Sequence, residues 1–352
     1  MTRITLEDGQ VRYFFELSIA RPPNARECAV LKTRLNRLTQ MERSVADAGD
    51  RLQELLSNRV TAPGDFRLRH GFLRLQSPDS GADTTTRNAT RRYQRPPGTR
   101  LMSPRGRSLS FILTALFEAQ MRLAPGQTAT RNELPLKGGD GQTAWSDYIA
   151  TDAQDALEGR IFIDVPTKKA RQLQSSLIRL DKEKLISVPP AKGTHRRYED
   201  FVLKREDARP TGDNSVYRVP EQDNEFFTVP TSLFTNGWIH VLEDSELVLL
   251  LIAARMRSMH GDTPQPLPSG PRKLHYGLSR DSFEAGHRVL DYLGILDVIS
   301  DYQRSADGKV DGFGDRGAQP HLLRFHPEAL DRPAIPTITD TIIEQLLKAE
   351  NR

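Results

Sequence analysis

The residues best placed to do chemistry in this chain are Lys168, Lys169, Arg171, Gln172, Ser175 and Arg179. They lie in the stretch 166–184, PTKKARQLQSSLIRLDKEK, where Ala170, Leu173, Leu177 and Leu180 fall at the three-and-four spacing of one buried helical stripe. At 100° per residue, Lys168, Arg171, Gln172, Ser175 and Arg179 share the opposite face. Guanidinium, ammonium and amide groups bond phosphate oxygens and base edges, so the pattern predicts a helix that reads the DNA major groove. The alternative is an ordinary amphipathic helix with a solvated basic face. Pro166 suits the first helical turn, where its missing N–H costs nothing. Residues 185–188 and 198–203 read as a pair of strands around a turn at 189–193. His195, Arg196 and Arg197 give that connection a basic tip.

Charge distribution supports a polyanionic partner. The net charge over 352 residues is only +4. Residues 166–205 nevertheless carry 11 Lys/Arg against 4 Asp/Glu, and 87–107 hold seven arginines and no acid. Residues 236–330 reverse the sign, with 10 Lys/Arg against 13 Asp/Glu. A basic middle of the chain is the expected electrostatic footprint on nucleic acid. The tetrapeptide Pro104-Arg105-Gly106-Arg107 has two readings: an AT-hook core lying in a narrow minor groove through Arg105 and Arg107, or a plain basic linker.

Other chemistry is not indicated. There is no Gly-x-Ser-x-Gly, no His-x-x-x-His with a nearby Glu, and the glycines at 138, 139 and 141 lack the Gly-Lys-Ser/Thr ending of a phosphate loop. His321 and His326 flank an apolar strand, and Asp307, Asp311 and Asp315 lack the alternating spacing of a calcium loop. The expectation is therefore no enzyme, no catalytic residue, no cofactor and no metal. Cys28 is the only cysteine, which excludes an internal disulfide. With no apolar leader and no membrane-length apolar run, the chain is expected to be cytoplasmic, bacterial and associated with the nucleoid.

Periodicity places the elements around the basic helix. Residues 1–76 read as a hairpin around Asp8-Gly9, a long helix at 24–58, and a second hairpin around His70-Gly71. The long helix is close to a heptad with a weak patch at Ala48-Gly49. It reads either as a coiled coil that makes a homodimer or as a helix packed on its own hairpins. Residues 77–102 read as an Arg-rich linker. Then 103–207 give a helix at 108–123, one or two short helices at 143–157, a strand at 160–165, the basic helix and the hairpin. A linker at 208–224 leads to 225–335, which repeats the order, with helices at 244–259 and from Ser279. That second helix presents Asp281, Glu284, Ala285 and Arg288, an acidic face for dimer or partner contacts, or for a lesser DNA contact through Arg280 and Arg288. Residues 336–352 hold a closing amphipathic helix that docks on the body or on a partner.

The fold class that follows is mainly α with small β wings, two winged-helix domains in tandem after a hairpin–long helix–hairpin module. The chain resembles tandem winged-helix DNA-binding proteins, and in layout is similar to bacterial plasmid replication initiators and actinobacterial winged-helix regulators. The resemblance covers about 103–330. It rests on Phe226-Phe227-Thr228-Val229-Pro230 leading into Leu233-Phe234, the Leu247–Met256 helix, and Leu278-Ser279 with Leu290, Leu293, Gly294, Ile295 and Leu296. It implies a helix in the major groove, Lys168 through Arg179, and a wing on the backbone, His195 through Arg197. The function expected is sequence-specific double-stranded DNA binding in transcription regulation. The alternatives are a plasmid or phage replication initiator and a winged-helix scaffold for protein contacts through the second domain.

Overall fold

The computed structural model describes residues 2–5, 11–14, 22–60, 65–78, 90–103, 106–139, 141–153, 156–158, 161–190, 197–207, 214–222, 224–300 and 319–351. Arg105, His195, Arg196, the Asp8-Gly9 turn, and Asp307, Asp311 and Asp315 lie outside the described residues. The chain is mainly helical with small antiparallel sheets. β1 (Thr2–Thr5) and β2 (Val11–Phe14) pair antiparallel, as the first hairpin predicts.

α1 (Ala25–Ser57) opens with a capping box between Asn24 and Glu27. Its inward row is Arg34, Leu38, Met41, Val45, Ala48, Gly49 and Leu52. That row packs on α5 (Ser232–Thr235), on α6 (Trp238–Val241) and on the closing helix α10 (Ala334–Glu350). The heptad-like stripe is thus packed within the chain, with Leu31, Leu35, Leu55 and Leu56 only partly buried. The Ala48-Gly49 interruption marks a close crossing, because a Cβ on Gly49 would lie 2.8 Å from the carbonyl oxygen of Thr235. α10 begins two residues ahead of the expected 336 and docks on the body.

The second hairpin does not form. β3 (Phe66–Arg69) pairs instead with β8 (Phe226–Val229), antiparallel, Phe66 opposite Val229. His70–Phe72 continue as a 3-10 turn. Behind the pair, Phe66 meets Phe234 and Phe117 edge-on, and Phe117 stacks on Phe234 at 4.2 Å. One apolar core accordingly runs from Leu38 to Leu346, through the boundaries expected at 76 and 208. The expected linkers are packed in part. α2 (Pro97–Leu101) is wholly buried, and so is Tyr217, beside the bridges Thr128–Arg218 and Lys204–Val216. Local composition could not show this, because Pro, Gly and Arg were packed by partners far away in sequence.

Two helices buried on almost every side centre the core, α3 (Ser108–Arg122) and α7 (Asp244–His260). After α3 come a single 3-10 turn at Trp145–Asp147, where one or two helices were expected, and the strands β4 (Ala156–Glu158) and β5 (Ile161–Ile163). α4 (Val165–Lys182) follows, then β6 (Ile186–Ser187) paired with β7 (Val202–Leu203). After α7 the order is β9 (Gln265–Pro266), α8 (Ser269–Leu274), α9 (Arg280–Tyr292), β10 (Leu296–Ile299) and β11 (Leu322–Phe325), with sheet order β10-β11-β9. α9 crosses α7 closely at Gly286, whose added Cβ would stand 3.0 Å from the Ser245 carbonyl oxygen. Among the described residues no helix is long and apolar enough to cross a membrane.

Candidate nucleic-acid interface

α4 starts where its sequence says it should. Asp164 is the N-cap and its carboxylate accepts the Thr167 N–H at 2.8 Å. Thr167's hydroxyl and N–H, then Lys137, hold that carboxyl down at about 2. Leu173, Ser176, Leu177 and Leu180 are buried, and α4 packs on α3.

The polar residues of α4 divide into three directions. Lys169 turns inward: its Nζ donates to the Ser146 carbonyl at 3.1 Å, and burial pulls its pKa down. Gln172 and Arg179 turn sideways into a cleft. Arg179 Nη2 donates to the carbonyls of Arg100 at 3.1 Å and Met102 at 3.2 Å. The outward row is Lys168, Arg171, Ser175, Ile178 and Lys182. Arg171, Ser175 and Lys182 are exposed, Lys168 is half-buried, and Ile178 is 54% exposed. Ile178 and Lys182 were missed by the sequence reading. Stepping three and four residues from Lys168 finds both, and their outward direction follows from the burial of Leu173, Leu177 and Leu180.

Around α4, Arg197 lies on the connection between β6 and β7. Its Nε donates to the Pro189 carbonyl at 2.9 Å, and its guanidinium sits 5.2 Å from the Tyr198 ring centre. Arg107 does not belong to a free arm. It is the N-cap residue of α3, with Nη1 3.4 Å from the His240 carbonyl oxygen and Nη2 3.9 Å from the Met41 sulfur. This conflicts with an extended Arg-Gly-Arg along a minor groove. On α9, Arg280 is paired with Glu284 at 2.5 Å and Arg288 with Glu27 of α1, so neither expected contact is free.

The cleft beside α4 has a volume of about 1100 Å³ and is walled by α1, the start of α3, the side of α4 and residues 239–245. Asp244 Oδ2 accepts the Ser103 N–H at 2.8 Å, and burial pushes its carboxyl up to about 7. His240, 4% exposed, is lowered to about 3 by burial and then by Arg107 and Lys169. Among the described residues, His240 Nε2, Gln172 Oε1 and Arg179 Nε are buried without hydrogen-bond partners. No protein-family model, curated protein or solved structure matches the chain.

Proposed function

We propose that the chain is a sequence-specific double-stranded DNA-binding protein that regulates transcription, with two winged-helix domains in tandem. In this reading α4 lies in the major groove, and the β6–β7 connection carrying Arg197 is a wing on the backbone. The observation that carries it is the outward row of α4: Lys168, Arg171, Ser175 and Lys182 spaced along one face, with neither Arg171 nor Lys182 in an ion pair among the described residues. Three cations on one face suit phosphate oxygens, and Arg171 also suits guanine. Ile178 in their midst suits the thymine methyl group. For the second domain, support comes from the order α7, β9, α8, α9, β10, β11 and from its three-stranded sheet. Its helix α9 spends its cations on Glu284 and Glu27, so the reading assigns most of the DNA affinity to the first domain.

The test is fluorescence anisotropy with genomic duplex fragments selected on the purified protein. Arg171→Ala and Lys182→Ala should each weaken binding by about 1–3 kcal/mol. Retained affinity in the double variant at moderate salt removes α4 as the reader. No binding of any fragment at low salt removes DNA as the partner and leaves the scaffold.

A further inference from the structure

The cleft beside α4 has the makings of a ligand site that meets the outward row only at Ser175. Arg107 and Arg179 both reach it, and neither has a carboxylate within ion-pair distance among the described residues. Poorly satisfied guanidiniums in a sheltered place are unusual, because charge leaves water at a cost unless it is paired. α3, 15 residues long, opens onto the same cleft. Its N-terminus has no side-chain cap bond and no acid in its first turn, in contrast to the capping boxes of α1 and α7. Uncapped first-turn amides and the helix dipole favour an anion there. His240 is a second, independent observation, a polar side chain 4% exposed in the cleft wall whose Nε2 has no partner among the described residues. Gly106 lets Arg179 pack close to the backbone there, since an added Cβ would come within 3.1 Å of Arg179 Nη1 and 2.9 Å of the Ser103 Cβ.

Acceptors line the same cleft. Gln172 Oε1 has no donor among the described residues, and the Asp244 carboxyl lies near both arginines without pairing with either. Guanidiniums with helix amides suit a phosphoryl group, and the amide and carboxyl oxygens suit N–H or O–H donors on the same molecule. About 1100 Å³ is near the upper end of small-molecule sites, which run to roughly 1000 Å³. We infer that this cleft binds a small phosphate ester carrying hydrogen-bond donors, of the size and chemistry of a mononucleotide. Its occupant would lie against Gln172, Ser176 and Arg179 on the flank of α4. Any effect on DNA affinity rests on the reading of α4 given above, whereas the binding itself does not.

Isothermal titration of the full chain with AMP, with pyrophosphate and with succinate, at matched ionic strength, tests this. Saturable AMP binding is expected, weakened about 10-fold or more by Arg107→Gln and by Arg179→Gln and unchanged by Arg131→Gln on the exposed surface. Arg179→Lys keeps the charge and loses the fork, so it should also weaken AMP and covers the case in which the glutamine variants fail to fold. The inference is overturned by no saturable binding of either phosphate compound, or by equal affinity in wild type and cleft variants. Succinate binding as tightly as AMP overturns the phosphate assignment. If only a duplex oligonucleotide binds through Arg107 and Arg179, the cleft is part of the DNA interface and the small-molecule site is refuted. DNA binding that fails while AMP binding survives leaves the inference standing and removes only the reading of α4.

Discussion

Replacing Arg34 by Met should cost the fold about 3–5 kcal/mol, the usual price of stranding one member of a buried ion pair. The geometry is close to the limiting case. Arg34 Nη1 and Nη2 meet the two Glu246 oxygens at 2.6 and 2.7 Å, Nη2 also donates to the Val241 carbonyl at 3.1 Å, and the side chains are 5% and 3% exposed. In Arg34→Met the Glu246 carboxylate keeps only the Glu243 N–H at 2.9 Å. The double variant Arg34→Met/Glu246→Met removes both charges and should recover most of the loss. It should stop roughly 1 kcal/mol short of wild type, because the α7 capping box goes with Glu246. Urea unfolding followed by circular dichroism measures this as a fall in midpoint at constant slope. A loss under about 1 kcal/mol in the single variant, or no recovery in the double, would refute a desolvated pair joining α1 to α7.

Three further outcomes follow from particular contacts. In DNA binding, Arg171→Ala should reduce the slope of log affinity against log salt by about 1, read from titrations at several salt concentrations; an unchanged slope means Arg171 touches no phosphate. Gly49→Ala would gain about 1 kcal/mol on an open helix face, but here its methyl meets the Thr235 carbonyl, so a loss of about 1–3 kcal/mol is expected and stabilisation would contradict the crossing. Asp244, raised from 3.8 to about 7, contributes stability that is fully present below pH 4 and is lost as pH rises through 7. Asp244→Asn should therefore gain relative to wild type between pH 4 and 7. His240 and His287, lowered to about 3 and about 4, act in the opposite direction below pH 6.5 but equally in both proteins. A flat difference between the two proteins counts against a buried Asp244.

The sequence made the long periodic elements legible. The stripe of Leu173, Leu177 and Leu180 predicts α4 to within two residues at each end, and the patterns of α3, α7 and α9 are equally clear. Periodicity tells which face of a helix is polar, but not whether that polar face meets water or another wall. Hence Gln172 and Arg179 were grouped with Arg171, although the carbonyls of Arg100 and Met102 claim Arg179. Pairing partners far apart were equally hidden. β3 has the alternation of a hairpin strand, and nothing within ten residues reveals that its partner is β8. The cleft was illegible for the same reason, since its walls come from six separate stretches of chain.

The buried pairs also set a timetable. Arg69 meets Glu206 137 residues later, and Arg34 meets Glu246 212 residues later. At a synthesis rate of about 5–20 residues per second, Arg34 waits on the order of 10–40 s for its carboxylate. Throughout that interval Leu38, Met41, Val45 and Leu52 emerge from the ribosome as an apolar helix stripe before α5, α6 and α10 exist to cover it. The stripe of α1 thus stays uncovered until most of the chain has been made. A fragment ending before α5 lacks the surfaces that cover this stripe, so the amino-terminal third is unsuited to preparation by itself.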